Sequence, residues 1–121
     1  MARIFSIDFD GVLHSYTSGW KGEDVIPDPP VEGAIAWLEN LAMDERVDVC
    51  VYSSRSSSLK GREAMRNWLL QNGISEVAEG NILFPTSKPA AFISIDDRGW
   101  RFDGTFPDAD ALLALKTWQG K

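Results

Sequence analysis

Cysteine, long apolar runs and positive charge are all scarce in this sequence of 121 residues. The single cysteine, Cys50, can neither close an internal disulfide nor supply a zinc cluster, which indicates a reducing compartment. No run of eighteen apolar residues occurs, and the chain reaches Asp8 too early for the apolar core of a signal peptide. We therefore expect a soluble, cytoplasmic protein with no membrane association.

Acidic residues outnumber basic ones, with eighteen Asp and Glu against twelve Lys and Arg and a net charge of −6. This balance disfavours a non-specific nucleic-acid coat or a polybasic membrane-surface protein. The length suits one ordinary globular domain and is too short for two of usual size. We expect residues 1–121 to form a single domain.

Short apolar segments alternate with helix-type patterns along the chain. The predicted strands are Arg3–Asp8, Val47–Tyr52, Ile82–Phe84 and Ala91–Ile95. Helices are predicted from Pro29-Pro30 to Ala42, from Leu59 to Leu70, and from Pro107-Asp108 through Leu115 and Trp118. Because parallel neighbours need crossover connections, this alternation predicts an α/β fold in which helices cover both faces of a central parallel sheet, a three-layer sandwich.

Residues 14–30 are rich in Gly, Ser, Pro and aromatic side chains and have no helical period. We interpret this segment as a flap. Trp20 lies among glycines, which favours exposure and contact with substrate. His14 is a candidate for proton transfer, but the sequence identifies no partner for it.

Polar residues follow three of the predicted strands. In a parallel α/β sheet the binding crevice lies at the carboxyl ends of the strands, so these residues are expected to meet there. They are Asp8 and Asp10 after the first strand, Ser53, Ser54 and Arg55 after the second, and Asp96, Asp97 and Arg98 after the last. Lys88 precedes the last strand.

This set of residues suits phosphoryl transfer. In an extended chain Asp8 and Asp10 point to the same side, about 7 Å apart. Together with Asp96 they would repel one another, and a hard divalent cation relieves that repulsion; Mg²⁺ fits best because it prefers oxygen ligands and bridges carboxylates to a substrate phosphate. One carboxylate can attack phosphorus while the second donates a proton to the leaving oxygen and later activates water. A lysine and a hydroxyl stabilise the phosphoryl oxygens.

In this order the residues resemble the four motifs of the haloacid dehalogenase (HAD) superfamily of phosphohydrolases. The resemblance covers positions 4 to 98 and rests on Asp8-Phe9-Asp10-Gly11-Val12-Leu13, Ser53, Lys88 and Asp96-Asp97. It implies a HAD-like, Rossmann-type fold and an aspartyl-phosphate intermediate.

The same resemblance implies a role for each matching residue. Asp8 would be nucleophile and metal ligand, and Asp10 general acid/base and a metal ligand through its backbone carbonyl. Ser53 and Lys88 would hold the phosphoryl group. Asp96 would bind Mg²⁺ directly, with Asp97 acting beside it.

The intervals between the motifs leave no room for the cap domain that larger members of the family carry. A capless site suits a large or protruding phosphoester, including a nucleotide or a nucleic-acid phosphate end, with Ser54, Arg55, Arg98 and Trp20 as candidate substrate contacts. A homo-oligomer would close such a site over a small substrate.

Two alternatives to an enzyme stay open. A phosphoacceptor signalling module has similar length and composition, but it places the acceptor Asp after a middle strand and the Lys after the last one. A catalytically silent phosphate-binding relative is the second alternative, and the presence of both Asp8 and Asp10 argues against it.

Overall fold

The structure, a computed structural model, describes residues 2–96 and 105–114. Its helices and strands, in chain order, are β1 (Arg3–Ile7), α1 (Ala34–Ala42), β2 (Val47–Val51), α2 (Leu59–Gln71), α3 (Glu76–Gly80), β3 (Ile82–Leu83), β4 (Ile93–Ile95) and α4 (Ala109–Leu113). A 3-10 turn over Ser54–Ser57 joins β2 to α2. Within these residues no helix has the length and apolar character needed to cross a bilayer.

The four strands form one all-parallel sheet in the order β3-β2-β1-β4. In β1, Phe5 pairs with Val49 of β2 on one side and with Ile93 of β4 on the other. The predicted α/β fold with a parallel sheet is confirmed at this level. The last strand is shorter than predicted, since it begins at Ile93 and not at Ala91.

The core is made by the strands and by one side of each longer helix. Phe5, Ser6 and Ile7 are consecutive and all buried, so both faces of β1 are covered, as is usual in parallel sheets. The helices contribute apolar side chains that are fully or almost fully buried, among them Leu38, Leu41, Met65 and Leu69.

The first helix begins later than predicted. Gly33 has a φ of 85°, a left-handed conformation that interrupts the helical backbone, so α1 starts at Ala34 and not at Pro29-Pro30. Pro30 instead forms an isolated antiparallel bridge with His14. The two ends of the flap are therefore joined to each other.

The predicted second helix is confirmed, and so is the glycine cap predicted at its C-terminal end. Gly73 has a φ of 110°, and the Ile74 N–H donates to the Leu69 carbonyl at 3.1 Å, the pattern of a Schellman cap. Helix α3 was not predicted, because five residues are too few to reveal an apolar period.

Helix α4 begins at the predicted place, with the Asp108 side chain accepting a hydrogen bond from the Ala111 N–H. The predicted continuation through Leu115 and Trp118 lies outside the described residues, as do the predicted site residues Asp97 and Arg98.

Candidate functional site

A cavity of about 210 Å³ lies at the carboxyl edge of the sheet. The ends of β1, β2 and β4 all reach it, and its lining residues are Ser6, Asp8, Tyr52, Ser53, Ser54, Lys88 and Asp96. The structure thus brings together five residues that the sequence singled out: Asp8, Ser53, Ser54, Lys88 and Asp96.

Asp8 is held at the point where β1 ends. Its N–H donates to the Ile95 carbonyl of β4 at 3.2 Å, which extends the sheet pairing by one residue. Its Oδ1 accepts a hydrogen bond from the Phe9 N–H at 2.8 Å. The first bond fixes the backbone of Asp8, and the second orients its carboxylate.

Lys88 and Asp96 meet across the cavity. The Lys88 Nζ lies 3.4 Å from Asp96 Oδ2, and the Lys88 side chain is 47% exposed. A pair this open to solvent contributes at most about 1 kcal/mol to stability. Its main effect is therefore to keep a cation and a carboxylate at the same opening.

Ser53 caps the 3-10 turn that follows β2. Its Oγ accepts a hydrogen bond from the Arg55 N–H at 2.9 Å, and its own N–H donates to Ser56 Oγ at 3.0 Å. The Ser53 hydroxyl is directed at Met65 Sδ, 3.6 Å away. Because a thioether is a weak acceptor, the hydroxyl can rotate to a phosphoryl oxygen at little cost.

The structure places Asp10 in the turn that follows β1. Strand β1 ends at Ile7 and the chain then turns, with the His14 N–H donating to the Phe9 carbonyl at 3.0 Å. Asp10 is not among the residues that line the cavity. Its side chain, 14% exposed, binds His14 and Arg55 instead.

Arg55 was expected as a substrate contact, and the structure buries its side chain completely. Its Nε lies 3.0 Å from Asp10 Oδ2. Its Nη1 donates to the backbone carbonyls of Gly22, Glu23 and Val25 at 2.8, 2.9 and 3.1 Å. The guanidinium therefore binds the flap to Asp10 and is not directed at the cavity.

Trp20 covers the same guanidinium. The centre of its ring lies 4.8 Å from Arg55 Cζ, and the side chain is 50% exposed. The expected exposure of Trp20 is confirmed, and its contact with substrate stays a prediction.

The partner of His14 was missed by sequence reasoning. This side chain is fully buried, and its Nδ1 lies 2.8 Å from Asp10 Oδ1. The sequence does contain one signal for this contact, the glycine at position 11 between Asp10 and His14. Glycine permits the tight turn that brings these two side chains together, and Gly11 has a φ of 85° in the structure.

Asp28 closes the base of the flap. Its carboxylate accepts hydrogen bonds from the Ser18 hydroxyl at 2.6 Å and from the Ser18 N–H at 2.8 Å. These two bonds, the hydroxyl first, hold the pKa of Asp28 below its ordinary value. An ionised Asp28 thus ties the middle of the flap to its end.

The carboxylates of the cavity suit a magnesium ion. Over residues 2–96 and 105–114, no group of three or more His, Cys, Asp or Glu side chains is gathered for a metal. The cavity offers two carboxylates, those of Asp8 and Asp96. Mg²⁺ is commonly held by one or two carboxylates, with waters and substrate phosphate completing its octahedron, so this donor set fits it.

Comparison with protein-family models, with curated proteins and with solved structures finds no match to this chain. The class of protein is therefore defined by the fold and the site: an all-parallel α/β protein with two carboxylates, three serines and a lysine lining one cavity at the carboxyl edge of its sheet.

Proposed function

We propose that this protein is a Mg²⁺-dependent phosphomonoester hydrolase of the HAD type, with a capless three-layer fold. The observation that carries the proposal is the cavity itself. Asp8, Ser53 and Asp96 come from the ends of three different strands and line one cavity together with Lys88. This is the arrangement that a nucleophile, phosphoryl contacts and a metal ligand require.

Asp8 is the proposed nucleophile. Its carboxylate attacks phosphorus, the bond from phosphorus to the leaving oxygen breaks, and an aspartyl-phosphate forms on Asp8. Asp10, as general acid, gives a proton to the leaving oxygen. It then takes a proton from a water molecule, which attacks the aspartyl-phosphate, releases inorganic phosphate and restores the Asp8 carboxylate.

The phosphoryl oxygens are proposed to bind Ser53, Ser54 and Lys88. The Lys88 ammonium group compensates their negative charge, and it already lies at the cavity beside Asp96. The Ser53 hydroxyl turns from Met65 Sδ to a phosphoryl oxygen without breaking the hydrogen bond that its Oγ accepts from Arg55.

Asp8 and Asp96 would hold the magnesium ion, together with the backbone carbonyl of Asp10. The ion supplies charge neutralisation between the nucleophile and the phosphate. The open cavity leaves room for the waters and the substrate oxygen that complete its coordination.

The substrate is proposed to be large or protruding. Residues 84–92, between β3 and β4, contain no helix or strand, and between Asp10 and Ser53 the chain forms only the flap, α1 and β2. Neither interval holds a cap. The ring of Trp20 offers a surface for a nucleotide base or another planar group.

A test combines metal dependence with detection of the intermediate. We expect hydrolysis of an aryl phosphate with Mg²⁺, loss of activity in excess chelator, and recovery when Mg²⁺ is restored. Rapid acid quenching followed by mass spectrometry should place the phosphate on Asp8. Full activity in excess chelator would exclude the metal role.

The same experiment separates the alternatives. Phosphate that accumulates on Asp8 without turnover would identify a phosphoacceptor module. Phosphate binding without transfer would identify a silent relative. A panel of phosphorylated sugars, nucleotides, oligonucleotide ends and phosphopeptides would then define the substrate class.

A further inference from the structure

A buried polar network connects Asp10 to the flap. Its centre consists of His14 and Arg55, whose side chains are both fully buried. Asp10 lies between them, with His14 Nδ1 at 2.8 Å and Arg55 Nε at 3.0 Å. Burying such groups is costly unless each is paired, so a network of this kind needs specific partners.

The partners of His14 define its tautomer. The Asp28 backbone N–H lies 3.1 Å from Nε2, and because an amide N–H only donates, Nε2 accepts. The proton is therefore on Nδ1, which donates to Asp10 Oδ1. The charged groups facing the ring are Asp10 and Asp28, whose Oδ2 is 3.6 Å from Nε2, and Arg55 lies beyond Asp10.

The two oxygens of Asp10 are not equivalent. Oδ1 accepts from His14 Nδ1 at 2.8 Å and from Arg55 Nη2 and Nε, both at 3.2 Å. Oδ2 accepts only from Arg55 Nε, at 3.0 Å, among the hydrogen bonds that the described residues make to it. A carboxylate oxygen has about two lone-pair sites, so Oδ1 is filled and Oδ2 keeps an open lone-pair site.

The same two side chains hold the flap. Arg55 binds three carbonyls between Gly22 and Val25, and His14 accepts from the Asp28 N–H. Around the His14 ring, Phe9 and Trp68 pack with centroids 5.7 and 5.6 Å away. A closed flap and an oriented Asp10 are therefore produced by one set of contacts.

We propose that His14 and Arg55 are positioning residues for proton transfer, which together fix the orientation of the Asp10 carboxylate and make that orientation depend on a closed flap. This inference rests on the proposed phosphohydrolase function. Both residues act through Asp10, and neither lines the cavity.

The first test needs no activity. His14 is the only histidine in the chain, so a sample labelled with ¹⁵N-histidine gives one pair of ring nitrogen signals. In the wild-type protein at neutral pH we expect Nδ1 to carry the proton and Nε2 to carry none. A proton on Nε2 would overturn the inference, because Asp28 could not then donate to that nitrogen.

The second test uses two variants that each keep one half of the contacts. His14→Asn places an amide donor near the position of Nδ1 and loses the acceptor for Asp28. His14→Gln places an amide oxygen near the position of Nε2 and loses the donor to Asp10. Both remove a buried ring, so both lower the melting temperature, and the comparison between them cancels this common effect.

The readout is kcat/KM for an alkyl phosphate divided by that for an aryl phosphate, since only the poor leaving group needs a well-placed acid. We expect His14→Gln, which loses the donor to Asp10, to lower this ratio on the order of tenfold or more, and His14→Asn, which loses only the flap contact, to lower it clearly less. Equal ratios in the two variants would mean that His14 is merely structural. If the wild-type protein hydrolyses neither substrate, the proposed function itself fails.

Discussion

Asp8 is the residue on which the proposed chemistry depends most directly. Asp8→Asn removes the carboxylate of the proposed nucleophile but keeps an oxygen that can accept from the Phe9 N–H, so the fold should be retained. We expect phosphatase activity to fall on the order of 10³-fold or more, with an almost unchanged melting temperature. Asp48→Asn, on the exposed part of β2, is the matched control and should keep full activity. A nucleophile elsewhere would be indicated if Asp8→Asn stayed within tenfold of the wild type.

Asp10 should show a mixed effect on stability and on catalysis. Asp10→Asn leaves the buried Arg55 guanidinium without its carboxylate, and breaking a buried pair costs on the order of 3 kcal/mol. Chemical denaturation should therefore show a clear loss of stability. In single-turnover assays we expect a larger loss of rate for alkyl than for aryl phosphates. Equal losses for both would remove Asp10 from the role of acid.

The cavity residues could be predicted because position along a strand decides where they lie. Asp8, Ser53 and Asp96 each follow a strand closely, so a parallel sheet gathers them without further information. The surroundings of Asp10 could not be predicted in this way. They depend on the turn after β1, which returns His14 to Asp10, and on the burial of Arg55 under the flap.

At the scale of elements, the first turn of α2 depends on Gly61. A Cβ at this position would collide with the backbone carbonyl oxygen of Arg55, and a backbone atom cannot move aside as a flexible side chain can. We expect Gly61→Ala to destabilise the protein by about 1 to 3 kcal/mol, measured by denaturant unfolding. Gly80→Ala is the matched control, because it is also a helical glycine and a Cβ there meets nothing within 4 Å. Similar losses in both variants would contradict this account.

A substitution in the flap should affect substrate use more than it affects the stability of the fold. Trp20→Ala removes a half-exposed ring and its contact with Arg55, so we expect a loss of only about 0.5 to 1 kcal/mol in unfolding free energy. A substrate with a base or ring should lose about 1 to 3 kcal/mol in kcat/KM, and a small aryl phosphate much less.

Val25→Ala is the control for this comparison. Val25 is also exposed in the flap, but it contacts Arg55 through its carbonyl and not its side chain, so this variant should change neither quantity. A large fall in melting temperature for Trp20→Ala would identify Trp20 as a core residue and exclude it as a substrate platform.

The helices and the flap differ in how well they could be predicted from the sequence. Helix α2 and its glycine cap were predicted, because thirteen residues give a clear apolar period. Helix α1 was placed too early, since a left-handed Gly33 has no signature that distinguishes it from a helical glycine. The flap was predicted from composition, whereas its attachment through Arg55 is a tertiary contact.

At the scale of the whole molecule, one cluster of charged side chains on the surface links α4 to the segment just before β2. Arg46 lies 2.7 Å from both Asp44 and Asp110. Hydrogen bonds from the Arg46 side chain and then from its N–H lower the pKa of Asp44 from 3.8 to about 2. The unfolded chain therefore binds the proton more tightly, and the stabilisation that this pair gives above pH 3.8 is lost as the pH falls to about 2.

Asp44→Asn should flatten the fall in unfolding free energy across this acid range. Because the cluster lies at the surface, the difference from wild type should be below about 1 kcal/mol. Arg46→Ala should give the same flattening, since it removes the cause of the lowered pKa. Chemical denaturation at a series of pH values would measure both, and an unchanged slope in both variants would contradict the assignment.

During synthesis of the chain, the strands that carry the cavity residues are made at different times. Strand β1 can pair with β2 once Val47–Val51 has been made, but its other edge waits for Ile93–Ile95. Until then that edge presents unpaired backbone groups, the kind of surface that promotes aggregation of nascent chains. Asp96 is also the last of the cavity-lining residues to be made, so the cavity is complete only when the edge is covered.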